Sequence, residues 1–270
     1  MRQESMIITS QKDKVTVHME LADTHAHLED LGNLDGALMR AEKAGVFAVI
    51  TMGSDCKSNL WALEESSKHH RGKLRIYPAI GLHPWGLEPS KIEANTQLIE
   101  ENVHKVVAIG EIGLDYWYKD VRKSPEKKEQ QRELFRRLLR IAKENGKPVS
   151  IHSRGAWEDC ADITIETGIR KAVFHWFSGP LDVLEKLLSE GYYISATPAS
   201  AYSKEHRNAI QNTPLQSVLL ETDSPVAYHG EPAEPVHVLK TLSTVAELKG
   251  VREEALAEQT TDSARRLFGI

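Results

Sequence analysis

Eight short apolar runs, each followed by a stretch with helical spacing, constrain this chain more than any other property. The runs lie at 15–22, 46–51, 74–80, 105–110, 149–152, 171–175, 192–195 and 217–221. Most are apolar on both alternating faces, which is the pattern of parallel strands covered by helices on the outside and packed on the inside. Between them, apolar residues recur at intervals of three and four. Leu34, Leu38 and Ala41 form one such stripe, and Leu134, Phe135, Leu138, Leu139 and Ala142 form another, ended by Gly146 and Pro148. Helices are expected at about 60–67, 91–102, 126–145, 159–167, 181–189 and 204–211, and the tail from 234 to 268 reads as helices alone. The expected fold is α/β, a (β/α)₈ TIM barrel in one domain spanning 1–270, with residues 1–20 as an extension and the start of the first strand. A doubly wound open sheet is the alternative, but its first strand usually leads into a glycine-rich phosphate turn. Here that strand runs instead into Asp23-Thr24-His25-Ala26-His27.

The placement of the histidines and carboxylates turns this fold into a functional expectation. His25 and His27 are read at the end of the first strand, Glu111 at the fourth, His152 at the fifth, His175 at the sixth and Asp223 at the eighth. In a barrel, the C-terminal strand ends converge on one rim, where barrel enzymes carry their chemistry. Each residue alone has an ordinary explanation, such as a buried polar group or a turn aspartate. Together they describe one cavity lined by imidazoles and carboxylates. That donor set suits two divalent ions, Zn²⁺, Mn²⁺ or Mg²⁺, with Glu111 as the candidate bridge and Asp223 placed to orient a water or take its proton.

At this point the chain resembles the TatD family of metal-dependent hydrolases, among the amidohydrolase-like barrels. The resemblance is carried by Asp23-Thr24-His25-Ala26-His27-Leu28, Gly81-Leu82-His83-Pro84, Gly110-Glu111-Ile112-Gly113-Leu114-Asp115, Ile151-His152-Ser153-Arg154, His175-Trp176-Phe177-Ser178-Gly179 and Glu221-Thr222-Asp223-Ser224-Pro225. It implies that His25 and His27 hold one metal and His152 and His175 the other, with Glu111 between them and Asp223 beside the attacking water. It also implies deoxyribonuclease activity of the 3′-to-5′ exonuclease kind on single-stranded DNA or 3′ ends, and it leaves Asp23 as support for the ligating histidines. Two departures from the family pattern lie near the expected substrate entrance. Trp176 stands where a small residue is common, and the stretch after Pro225 is short and lacks an Arg-Asn before Glu-Pro.

Arg154, two residues beyond His152, is expected to face a phosphate, and His83 to donate to a phosphate or leaving oxygen. Ser153 and Trp176 complete the expected substrate contacts. Tyr116-Trp117-Tyr118 is expected to pack its own loop more than to stack bases, and the following lysines and arginines to form a solvated face. His69, His70 and His237 read as surface or loop histidines, and His229 is the one near enough to the site to matter. Cys56 and Cys160 occur alone, so no disulfide is expected. A hydrophobic content of 40%, a charged content of 27% and a net charge of -5 argue for a globular chain without a broad basic face. No apolar stretch is long enough for a membrane span, and the first residues lack a secretory apolar core, so a cytoplasmic protein is expected. Fold and metals do not fix substrate. An aminoacyl-tRNA deacylase, an amidohydrolase or lactonase, and a non-catalytic nucleic-acid-binding protein are therefore the rival expectations.

Overall fold

The computed structural model of the chain describes residues 19–68 and 72–270. The first half contains β1 (Leu21–Ala26), α1 (Leu34–Lys43), β2 (Val46–Met52), α2 (Cys56–Lys68), β3 (Arg75–Ile80), α3 (Pro89–Asn102), β4 (Ala108–Gly113) and α4 (Pro125–Glu144). Then follow β5 (Val149–His152), α5 (Trp157–Thr167), β6 (Ala172–Phe174), α6 (Leu181–Ser189), β7 (Tyr193–Ala196), α7 (Lys204–Asn212) and β8 (Val218–Leu220). A small antiparallel pair, β9 (Ala227–Tyr228) and β10 (Glu231–Pro232), precedes α8 (Val238–Lys249) and α9 (Glu253–Phe268).

The eight long-range strands pair in parallel in sequence order, β1 through β8. The ring is drawn together at its C-terminal rim, where Asp223 N donates to His25 O at 2.9 Å and His27 N to Ser224 O at 2.7 Å. Thr24 Oγ1 adds a bond to Leu220 O at 3.0 Å. The expected TIM barrel is therefore the observed one.

Alternation along the strands divides the apolar side chains between two layers. Leu21, Val49, Ile80, Ile109, Ile151, Phe174 and Ile194 share one buried cluster with helix residues such as Leu134, Leu138 and Leu184. Ala22, Ala48, Ile50, Ala79, Ala108, Val173 and Leu219 form a second cluster, closed by Leu267 and Phe268 of α9. Four strand residues of that second set, Ala22, Ala48, Ala79 and Ala108, are alanines, which leaves room for the strands to converge there. The stripe expected on α4 is buried, and Ser124 caps its start by accepting from Lys127 N.

Three local expectations need correction. The first strand was expected at 15–22 but runs over Leu21–Ala26, and residues 15–18 lie outside the described residues. The Asp-x-His-x-His motif therefore begins inside β1, with His25 in the strand and His27 just beyond its end. Likewise β4 continues through Gly113, so Glu111 is inside the strand. Last, β8 is followed by a hairpin before any helix. His229 and Gly230 take positive φ values of 53° and 85° in its two-residue turn, as a tight hairpin turn demands. His69 and His70 lie outside the described residues, and both cysteines are free thiols.

Candidate metal centre

The strands carrying the polar motifs depart from regular pairing where those motifs occur. Pairing between β1 and β2 shifts register between Asp23 and Ala26, and pairing between β4 and β5 shifts between Ile109 and Ile112. Such irregularities re-aim side chains. They also require close backbone approach: a Cβ on Gly81 would lie 2.5 Å from Glu111 O, and one on Gly113 would lie 1.9 Å from His152 O.

Into this space the structure brings His25, His27, Glu111, His152, His175 and Asp223. Glu111 lies at the centre, with one carboxylate oxygen toward each pair of histidines. Its Oε2 is 3.3 Å from His27 Nε2 and 3.6 Å from His25 Nε2. Its Oε1 is 2.8 Å from both His152 Nδ1 and His175 Nε2. Asp223 Oδ1 joins the first pair at 3.5 Å from His25 Nε2 and 3.6 Å from His27 Nε2. His83 joins the second side, with Nε2 3.5 Å from Glu111 Oε1.

The outward nitrogens of the four paired histidines also have partners, which fix the direction of each ring. His25 Nδ1 is 3.3 Å from Ser150 Oγ, and His27 Nδ1 is 3.1 Å from Met52 O. His175 Nδ1 is 3.4 Å from Glu221 Oε1, and His152 Nε2 is 3.1 Å from Asp115 Oδ2. Sequence reasoning assigned no role to Ser150, Asp115 or Glu221. The two carboxylates were visible inside quoted motifs, but only the three-dimensional positions of the rings reveal whom they serve.

The donor set fits divalent cations. Within each pair the inward nitrogens are 3.4 Å apart (His25 and His27) and 3.2 Å apart (His152 and His175). Ligands about 2.0–2.1 Å from a tetrahedral ion stand about 3.4 Å from one another. Each group of His25-His27-Glu111, His25-His175-Asp223 and His83-Glu111-His152 places its ligand atoms within 4.8 Å of one another. Glu111, Asp115, Glu221 and Asp223 are all buried here, and buried carboxylates need compensating positive charge.

The titration behaviour shows the same demand. Burial works against the charged form of Glu111, but His83, His175 and His152 outweigh it and hold the carboxyl well below its usual range. Burial likewise opposes charge on His27, yet Glu111, Asp223 and Glu29 lift it to about 9. His175 is driven well above its ordinary value because Glu111 and Glu221 outweigh its burial. Burial raises Asp223 and lowers His83 to about 4, so His83 is neutral at pH 7. Its Nδ1 is buried without a hydrogen-bond partner among the described residues.

The expected surroundings divide. Arg154 is beside the site, but its guanidinium is held by Asp115, with Nη2 at 2.8 Å and Nε at 3.0 Å from Oδ2. Ser153 is buried, and its carbonyl accepts from Ala156 N at the approach to α5. Trp176 has a positive φ of 42°, donates its backbone N–H to Glu221 Oε1 at 3.0 Å, and packs its ring against Tyr228. Trp176 thereby positions the carboxylate behind His175. His229 packs on Tyr202 at the hairpin tip, and His237 caps the turn before α8 by accepting from Glu234 N.

Asp23 does not support the imidazoles as expected. Its carboxylate accepts from Thr222 N at 2.9 Å and Thr222 Oγ1 at 2.6 Å, tying β1 to the backbone that carries Asp223. The register shift in β1 is the reason: strict alternation would have kept Asp23 on the histidines' face.

A parallel eight-stranded barrel with this histidine–carboxylate centre on its C-terminal rim defines the class as a metal-dependent hydrolase barrel. The chain belongs to the family described as TatD related DNase, whose sequence pattern matches residues 22–269. It is 33% identical to the uncharacterized metal-dependent hydrolase YabD of Bacillus subtilis, over 93% of this chain and 99% of that protein. It is 30% identical to Deoxyribonuclease TATDN3 of Homo sapiens, over 92% of this chain and 94% of that protein. The crystal structure of YJJV, a TatD homologue from Escherichia coli, superposes with a TM-score of 0.82 at 28% identity, covering 93% of this chain and 99% of that one.

Proposed function

We propose that the protein hydrolyses phosphodiester bonds of DNA, acting on single strands or frayed 3′ ends as an exonuclease, with two divalent ions. The observation that carries this reading is the division of Glu111 between two histidine pairs, Oε2 toward His25 and His27 and Oε1 toward His152 and His175. The deoxyribonuclease name of the human relative supports a nucleic-acid substrate. His25, His27 and Asp223 would hold one ion, His152 and His175 the other, with Glu111 shared. Bound there, such ions supply Lewis-acid polarisation of a phosphoryl oxygen and bring the pKa of water toward neutrality.

The chain's own groups do the positioning. Asp223, its carboxylate raised by burial, is the base that orients the attacking water and accepts its proton. Arg154 presents a guanidinium already oriented by Asp115 to a non-bridging phosphate oxygen. His83 is neutral and turns its Nε2 to the centre, 3.5 Å from Glu111 Oε1, where the ring donates to the leaving oxygen or the phosphate. Burial of the centre excludes bulk water from competing with these contacts.

The test is metal depletion followed by readdition of Zn²⁺, Mn²⁺ or Mg²⁺ singly. Turnover is followed side by side on single-stranded oligonucleotides, aminoacyl esters and lactones. Loss of oligonucleotide cleavage on depletion and its return on readdition are expected. Nuclease activity that survives verified metal removal would exclude the mechanism, and preferential turnover of esters or lactones would exclude the substrate.

A further inference from the structure

Beside the candidate centre lies an aromatic surface that the hydrolytic chemistry does not use. Trp117 and Trp85 are among the most exposed large apolar side chains among the described residues, at 58% and 45%. Both adjoin Arg154. The Arg154 guanidinium lies over the Trp85 ring at 5.5 Å, and the Cα of the next residue, Gly155, lies so near Trp117 that a Cβ there would come within 2.3 Å of its ring.

Both tryptophans are held rather than free. Trp117 stands edge-on to Trp157, with centroids 5.4 Å apart and an interplanar angle of 86°, and its backbone N–H donates to Asp115 Oδ1 at 3.0 Å. Trp85 donates Nε1–H to Asp115 Oδ2 at 2.7 Å, the same oxygen that meets Arg154 and His152. One carboxylate thus fixes a phosphate-type cation, a histidine of the centre, the Trp85 indole and the backbone that carries Trp117 in a single arrangement. Exposed rings cost solvation unless something covers them, and a rigid aromatic face next to a guanidinium suits a flat base attached to a phosphate.

We propose that Trp117, with Trp85 beside it, is a stacking subsite for a nucleobase of the strand whose phosphate meets Arg154. The inference rests on the nucleic-acid reading of the site. It adds that recognition extends to the base through a face carrying no base-specific hydrogen bonds, so any of the bases is accepted and an abasic position is not.

The test pairs a protein change with a substrate change. A fluorescein-labelled, phosphorothioate single strand, which resists cleavage, is titrated against metal-loaded wild type, Trp117→Ala and Trp117→Phe. The titration is repeated with the same strand bearing abasic sugars at its 3′ end. For the base-bearing strand, Trp117→Ala is expected to raise Kd about tenfold and Trp117→Phe to recover most of that loss. For the abasic strand the three proteins are expected to bind alike. An equal loss on both strands would mean that the variant merely displaced Arg154, and no loss on either would mean that the ring is idle; each overturns the proposal. Turnover of bis(4-nitrophenyl) phosphate by wild type is measured in parallel. Its absence counts against the hydrolytic reading alone, because the difference in binding between strands decides the subsite without turnover.

Discussion

The two halves of the centre contain the same kind of histidine pair but support it differently. Behind His25 and His27 the hydrogen-bonding partners are neutral, Ser150 Oγ and Met52 O, with the Glu29 carboxyl farther off at 4.0 Å from His27 Nδ1, and the negative charge of Asp223 meets the inward nitrogens directly. Behind His175 and His152 stand hydrogen-bonded carboxylates, Glu221 and Asp115, while on the inner side Glu111 is the carboxylate at 2.8 Å from both rings and Asp223 lies farther off, within 4.8 Å of the His175 ligand nitrogen. The first half therefore has two carboxylates facing its inward nitrogens, and the second adds a carboxylate hydrogen-bonded behind each ring. A carboxylate behind an imidazole makes the opposite nitrogen more basic. The asymmetry also separates neighbours: the second half shares Asp115 with Arg154 and Trp85, so it borders the proposed substrate face.

The most damaging change to this arrangement is Glu111→Ala, which removes the one group common to both halves. Turnover should fall by about 10³-fold or more, with metal content reduced at both positions, as read by elemental analysis and steady-state rates. Unchanged stoichiometry would remove Glu111 from the shared position. Next in size are Asp115→Asn and Glu221→Gln, each expected to weaken metal retention or activity by about 10–100-fold. Chelator competition should find that loss at one ion and leave the other retained; equal weakening of both would dissolve the distinction between the halves.

A pH experiment probes the support beneath the second half. His206 is buried, with Nε2 accepting from Thr197 N at 3.1 Å and Nδ1 2.8 Å from Phe177 O, two residues beyond His175. Burial lowers its pKa from an ordinary 6.5 to about 4. Between those values the unfolded chain binds the extra proton and the folded chain does not, so stability falls as pH drops from about 6.5 to about 4. The difference is on the order of 3 kcal/mol. Urea midpoints across that range should show it, and His206→Asn should flatten the dependence by one proton. The smallest effect is expected for Ser150→Ala behind His25, about 1 kcal/mol or less, hence under tenfold in metal affinity. A loss as large as that of Glu221→Gln would show that the neutral support matters as much as the charged one.

Much of the fold was legible because buried parallel strands and amphipathic helices write their periods directly into the chain. The spacing predicts a helix at 181–189, which are the bounds of α6, and one at 126–145, within a residue of α4. The convergence of the six polar residues also followed, since strand ends on a barrel rim are neighbours whatever their sequence separation. What failed was the inference of facing from strict alternation. Asp23 turned to Thr222 because β1 shifts register there, and Glu111 fell inside a longer β4 for a related reason. Partnerships such as Glu221 with His175, or Trp85 with Asp115, depend on ring orientation and loop path, and no one-dimensional period records these.

The seam that draws the barrel together has a temporal meaning. Asp223 N reaches His25 O, His27 N reaches Ser224 O, and Asp23 grips Thr222, so the first and eighth strands meet at the residues that would hold an ion. Contacts between positions so distant in sequence form only after the loop between them has closed. A nascent chain still emerging, or a copy clipped between these strands, can carry every histidine and yet possess no centre. Hydrolytic competence thereby becomes a report that the whole ring has been completed.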